Sequence, residues 1–116
     1  MKRNRDYSIL QHITEYCTEI DNTAKRFNYE KEVFLSDSVY KNAIALCVLQ
    51  IGELTANLTD EFKETYSQIP WRQIKAMRNI VAHNYGSIDS EILWNTVTDD
   101  IPELKKYCIK ILSEII

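Results

Sequence analysis

The stretch Ala43–Gly52, AIALCVLQIG, is apolar almost all round, with Gln50 its one plainly polar side chain. A helix of that kind is buried on several sides. It predicts either the central element of a helical domain or an element that packs on a second subunit. The enclosing helix is expected from about Asp37 to Leu58, with Ser36 as its N-cap. Gln50, Glu53 and Asn57, spaced by three and four, form a polar stripe along it, ordinarily a solvated face. Gly52 lies inside this helix, where glycine costs about 1 kcal/mol against alanine. A close approach by another backbone would explain it.

Helical periodicity extends in both directions. Leu10, Ile13, Cys17, Ile20, Ala24 and Phe27 share one face of a helix expected from about Asp6 to Phe27, with Asn4 or Asp6 capping its start. NYEKEVFLSDS, Asn28–Ser38, reads as a loop, and LTDEFKETYSQ, Leu58–Gln68, holds a short helix. Pro70 suits the first position of a helix reaching Asn84, with Gly86 as its stop signal. A last helical stretch starts near Ile88, with Ser87 or Asp89 as cap. Its stripe is Val97, Ile101, Leu104, Cys108, Ile111 and Ile115. Pro102 lies inside that stripe without breaking its phase, which predicts a kinked helix. Asp100 and Glu103 resemble a capping pair, so a restart there is the alternative. Two glycines and two prolines in 116 residues also favour long helices over sheets. The expected fold is all-α, an antiparallel bundle of four or five helices, and residues 1–116 form one domain.

The composition is 45% hydrophobic and 27% charged, an ordinary soluble balance. No apolar run approaches the roughly 18 residues of a membrane span, and no targeting signal is visible. The expectation is a soluble, cytoplasmic protein with no membrane partner. Cys17, Cys47 and Cys108 are widely spaced on apolar stripes, which suits small buried hydrophobes better than a disulfide framework. With only His12 and His83 and no Cys/His cluster, the sequence offers no evident transition-metal site, and no cofactor is expected. His12 reads as a surface residue, and Trp71 and Trp94 as packing residues. The net charge of −3 argues against non-specific nucleic-acid binding. Its distribution differs. From Thr65 to Ile88 there is no Asp or Glu, while Arg72, Lys75, Arg78 and His83 all fall inside. Such a segment can bind an anion.

Arg78 is the anomaly. At about 100° per residue, Trp71, Ile74, Met77, Val81, Ala82 and Tyr85 fill one arc, and Arg78 lands near its middle. A guanidinium buried without a partner is costly and hardly ever deprotonates. Arg78 therefore pairs with a carboxylate such as Glu53, lines a cleft, or sits at a subunit interface. His83 lies five residues on, about 140° away around an ideal helix. The two share a site only if the helix ends or bends near His83 or if the groups converge across a dimer axis. Tyr85 shares a face with Arg78, two turns on. By spacing alone, His83 does no more than interact with the helix dipole.

The segment RNIVAHNY, Arg78–Tyr85, resembles the Arg-x-x-x-x-His-x-Tyr motif of HEPN-domain ribonuclease toxins, specifically the HepT-like group. IGEL at Ile51–Leu54, IPW at Ile69–Trp71 and LWNTVTDDIPELK at Leu93–Lys105 resemble the family pattern in the same order. The resemblance covers nearly the whole chain. It implies a HEPN-like helical domain that homodimerises, with Arg and His of both subunits facing each other in a cleft. It implies a metal-independent RNA endonuclease, the toxin of a type VII toxin–antitoxin system. The partner is then a cognate MNT-type nucleotidyltransferase antitoxin that transfers AMP to the motif tyrosine, here Tyr85. In that chemistry His83 acts as general base or acid. Arg78 holds the phosphate and stabilises its developing charge, and Asn79 orients His83 or the phosphate. Arg72 and Lys75 track the RNA backbone. The alternative is a non-catalytic dimeric helical binding module that partners a nucleotidyltransferase. A DNA-binding helical protein is a third reading, disfavoured by net acidity and by the want of a basic recognition helix.

Overall fold

The computed structural model describes residues 2–115. It is all-α: α1 (Lys2–Arg26), α2 (Lys31–Ser36), α3 (Ser38–Ala56), α4 (Asp60–Thr65), α5 (Trp71–Asn84), α6 (Ser90–Asn95) and α7 (Ile101–Ile115). A 3₁₀ turn, Tyr85–Ser87, follows α5, and a π turn, Thr96–Asp100, joins α6 to α7. The four long rods are α1, α3, α5 and the continuous α6–π–α7 unit. α3 packs between α1 and α5, α7 packs on the other flank of α1, and α2 covers α3 and α6. The molecule measures 44 × 28 × 20 Å.

The α1 stripe is buried as its periodicity predicts: Leu10, Ile13, Cys17, Ile20 and Ala24 are fully enclosed. Phe27 stacks on Tyr40 with ring centroids 4.2 Å apart. Burial pushes the thiols of Cys17 and Cys108 up, to about 12 and about 11. α1 begins earlier than expected, at Lys2, so Asp6 lies inside it and does not cap it. Buried Asp6 instead accepts from the Thr59 backbone N–H at 2.9 Å and from the Thr59 hydroxyl at 2.7 Å. Thr59 in turn caps α4 by accepting from Phe62 N at 3.1 Å. The side chains of Asn4 and Ile115 lie outside the described residues.

Several boundaries shift for local reasons. The expected loop after α1 contains α2, because Phe34 is drawn into the core between Tyr40 and Trp94. The α1–α2 turn holds Asn28 and Tyr29 at φ 54°, and the Tyr29 hydroxyl donates to Asp21. The cap of α3 is Asp37, accepting from Val39 N and Tyr40 N, and not Ser36, whose hydroxyl turns back to the Glu32 carbonyl. Pro70 is the residue before α5 and not its first turn. Gly86 does not stop α5 through a left-handed cap; its φ is not positive, and the chain tightens into the 3₁₀ turn at Tyr85. Asp89 caps α6 as one of the two expected alternatives. At Pro102 the helix neither breaks nor restarts. The Ile101 N–H reaches five residues back to the Thr96 carbonyl. This wider π turn accommodates a ring that would collide with the preceding turn of an α-helix.

α3 is the central helix, yet it is not enclosed. Val39, Ala43 and Leu46 lie on one outward face, with Val39 76% and Leu46 56% exposed. The apolar pattern thus serves two surfaces, one against α1 and α5 and one left uncovered by the described residues. Among the described residues no helix is long and apolar enough to cross a membrane.

Candidate active site

α5 carries the acid-free segment. Of its apolar arc only Val81 is buried; Trp71, Ile74, Met77 and Tyr85 are half-buried and Ala82 is exposed. Arg78 therefore lies at the rim of the core, with 29% of its side chain exposed. Its position is set by Gly52 of α3. A Cβ built at Gly52 would lie 2.3 Å from the Arg78 Cβ, so the glycine gives α5 the room to pass. The close approach anticipated from Gly52 is this helix crossing.

Each nitrogen of the Arg78 guanidinium has a protein partner. Nε donates to Glu53 Oε1 at 2.5 Å, Nη2 pairs with the same carboxylate oxygen, and Nη1 donates to Asn79 Oδ1 at 2.9 Å. Glu53, one member of the expected solvated stripe of α3, is thus the carboxylate partner. Asn79 accepts from the arginine, and among the described residues no hydrogen bond joins it to His83.

Beside this pair lies an open cavity of about 490 Å³. Arg72, Lys75, Arg78 and Asn79 line it from α5, Gly52 and Thr55 floor it from α3, and Trp71 forms a wall. Lys63 of α4 also lines it, and among the described residues no carboxylate does. Six residues are too few to show which way α4 faces, so Lys63 was not legible from its periodicity. The opposite side of α5 has the reverse character. A cleft of about 540 Å³ between Ile74, Met77 and α7 is rimmed by Asp99, Asp100 and Glu103. Burial, then the neighbouring Asp99 and Glu103 charges, pushes the Asp100 carboxyl up from its ordinary value. α5 therefore separates an acidic cleft from a basic cavity.

His83 is exposed near the end of α5 and makes no side-chain hydrogen bond or ion pair among the described residues. It is four residues from Asn79, one turn along the same flank. α5 runs unbroken through it to Asn84. The bend that would swing His83 to Arg78 within one chain does not occur. Tyr85 is half-buried, its hydroxyl donates to Asn42 Oδ1, and burial pushes the phenol up from its usual value. It lines a shallow cavity with Asn42, Ala45, Leu46 and Val81, not the basic one holding Arg78. Within one chain the candidate residues thus form a basic cavity, an exposed histidine, and a tyrosine beside the uncovered face of α3. His12 is exposed and meets Glu15 at 3.4 Å, and Trp94 packs against Phe34 at 5.1 Å.

Comparison with known proteins adds three observations. The family described as Ribonuclease HepT-like matches residues 10–111. A protein of Caldanaerobacter subterraneus subsp. tengcongensis named "Putative RNase TTE0752" is 35% identical over 114 residues, 98% of each chain. One of Thermococcus cleftensis named "Probable ribonuclease HepT" is 36% identical over 106 residues, 90% of this chain and 93% of its own. No solved structure matches significantly.

Proposed function

The chain belongs to the HepT-like ribonuclease family, and from that premise we propose that it is a metal-independent RNA endonuclease acting as a single-domain homodimer. The observation that carries the reading is the basic, carboxylate-free cavity of Arg72, Lys75, Arg78 and Asn79, with exposed His83 one turn beyond it. RNA brings its own nucleophile, the 2′-hydroxyl held beside its phosphate. His83 takes the proton of that hydroxyl as it attacks, or gives one to the departing 5′-oxygen. Arg78, held by Glu53, faces the phosphate and stabilises the charge that grows on it. Asn79 keeps the third guanidinium nitrogen in place, and Arg72 and Lys75 draw in the backbone.

His83 and Arg78 occupy different faces of an unbroken helix, so the reading needs two chains. The exposed Val39, Ala43 and Leu46 face of α3 supports pairing, since it is apolar and uncovered within one chain. In the dimer the histidine of one chain and the arginine of the other complete each cleft. The test is cleavage of single-stranded RNA by the purified protein, with His83→Ala as control. Activity that survives in that variant removes the histidine from the chemistry.

Control belongs to the same reading. The protein is the toxin of a type VII toxin–antitoxin pair in the cytoplasm, and an MNT-type nucleotidyltransferase is its antitoxin. The Tyr85 hydroxyl attacks the α-phosphate of ATP, loses its proton and releases pyrophosphate, leaving AMP on the tyrosine. Tyr85 lies beside Leu46 at the uncovered face, so the adduct obstructs the shared cleft. One observation favours a second reading, a non-catalytic dimeric binding module: every nitrogen of Arg78 already has a protein partner. A fold lost with the arginine would favour that role.

A further inference from the structure

The basic cavity holds more charge than the motif accounts for. The charge of Arg78 is offset by Glu53, which pairs with Nε and Nη2, while Asn79 accepts from Nη1. The remaining cations are Arg72 and Lys75 of α5 and Lys63 of α4. None of the three has an ion pair or a side-chain hydrogen bond among the described residues. Like charges gathered without a counter-ion repel, and an anion relieves that repulsion. The chain as a whole is acidic, at −3, so the cluster is a local feature and not a general basicity.

The cluster is also built firmly. The Trp71 indole N–H donates to the Lys63 and Tyr66 carbonyls, each at 3.1 Å. That bond fixes the end of α4 against the start of α5, so the Lys63 backbone keeps a set place opposite Arg72 and Lys75. Thr59, anchored on Asp6, fixes the other end of α4. The cavity, at about 490 Å³, has room for a phosphate with its sugar. Trp71 in its wall offers a ring on which a base can rest.

We propose that Lys63, with Arg72 and Lys75, forms a binding site for a backbone phosphate of single-stranded RNA, next along the strand from the bond that is cut. The assignment rests on the ribonuclease reading and gives that site a residue outside the motif helix. Lys63 acts by binding the strand, as a separate element from the Arg78 and His83 chemistry.

The test uses the full chain and a fluorescein-labelled 2′-O-methyl oligouridylate, which binds without a 2′-hydroxyl to cleave it. Fluorescence anisotropy reads affinity across a salt series. Lys63→Gln should weaken binding about threefold to tenfold and make the log–log salt slope shallower by about 0.7, the loss of one phosphate contact. Lys63→Arg should keep both. Lys106→Gln, on the exposed side of α7, should match the wild type. Affinity and slope unchanged in Lys63→Gln overturn the assignment, and so does an equal loss in Lys106→Gln. If the wild type still cleaves RNA in either case, the ribonuclease reading stands without this site. A wild type that neither binds nor cleaves removes both.

Discussion

Gly52 of α3 lies so close to Arg78 of α5 that a Cβ at position 52 would stand 2.3 Å from the arginine's own Cβ. The neighbour is the root of the side chain and cannot swing aside. Alanine would gain about 1 kcal/mol of helix propensity, while overpacking costs about 1–3 kcal/mol. Gly52→Ala should therefore lose up to about 2 kcal/mol of stability and lower the melting temperature by up to about 8 °C. It should also push the guanidinium off Glu53 and depress RNA cleavage. A melting temperature equal to or above the wild type would refute the crossing as the reason for the glycine.

Arg78→Ala and His83→Ala should separate chemistry from folding. The Arg78–Glu53 pair is half exposed, and such pairs are worth at most about 1 kcal/mol. The exposed histidine should contribute within about 0.5 kcal/mol. Circular dichroism should stay helical in both variants. Cleavage should fall by about 10²–10³ for the arginine and about 10²–10⁴ for the histidine. Loss of helicity in Arg78→Ala would make the arginine a structural residue.

Leu46→Asp places a charge on the uncovered α3 face without touching the core. Light scattering should show a dimer for the wild type and a monomer for the variant, with helicity kept. A monomeric wild type would remove the shared-cleft mechanism.

Co-expression with a cognate nucleotidyltransferase should add AMP-sized mass to the peptide carrying Tyr85. The hydroxyl must first leave Asn42, so Asn42→Ala should be modified at least as fast. Tyr85→Phe should escape modification and neutralisation. Adducts found only on another tyrosine, such as Tyr107, would overturn the assignment.

Stability should fall in alkali. Burial, with lesser contributions from Cys108 and Cys47, raises the Cys17 thiol from 9.0 to about 12. Burial, then the bond to Asp21, raises the Tyr29 phenol from 10.0 to about 12. A group with a raised folded pKa stabilises fully below its unfolded value and loses that contribution as pH climbs through the folded one. The melting temperature should thus drop between about pH 9 and about pH 12, and Tyr29→Phe should drop less above about pH 10. A flat profile would contradict this.

The fold was legible because the long helices carry their period openly: the α1 stripe is buried from Leu10 to Ala24. Boundaries were legible only where one side chain could cap. Asp37 and Ser36 both suit a cap, and only the direction of the chain leaving α2 decides between them. The Arg78–Glu53 pair was one of three solutions open in the sequence, because a guanidinium on an apolar arc needs a partner, a cleft or an interface, and Gly52 marked where the helices meet. Lys63 and Asn42 left no trace, since their roles depend on how short α4 and the rim of α3 are turned in space. The convergence of His83 with Arg78 was open in the sequence, and α5 runs helical through His83 to Asn84, which keeps the two on different faces.

Buried Asp6 has a consequence far from its own helix. Its two bonds to Thr59 hold the start of α4, Thr59 holds Phe62, and Trp71 is hooked to the Lys63 carbonyl. The first turns of the chain therefore act as a guy-rope for the mouth through which a strand would enter. Cutting the chain beyond residue 6, or fusing a bulky partner tightly against that helix, should slacken the mouth before it unfolds the bundle. Shortened or tagged forms of the protein would then lose their grip on RNA while still looking, by circular dichroism, whole.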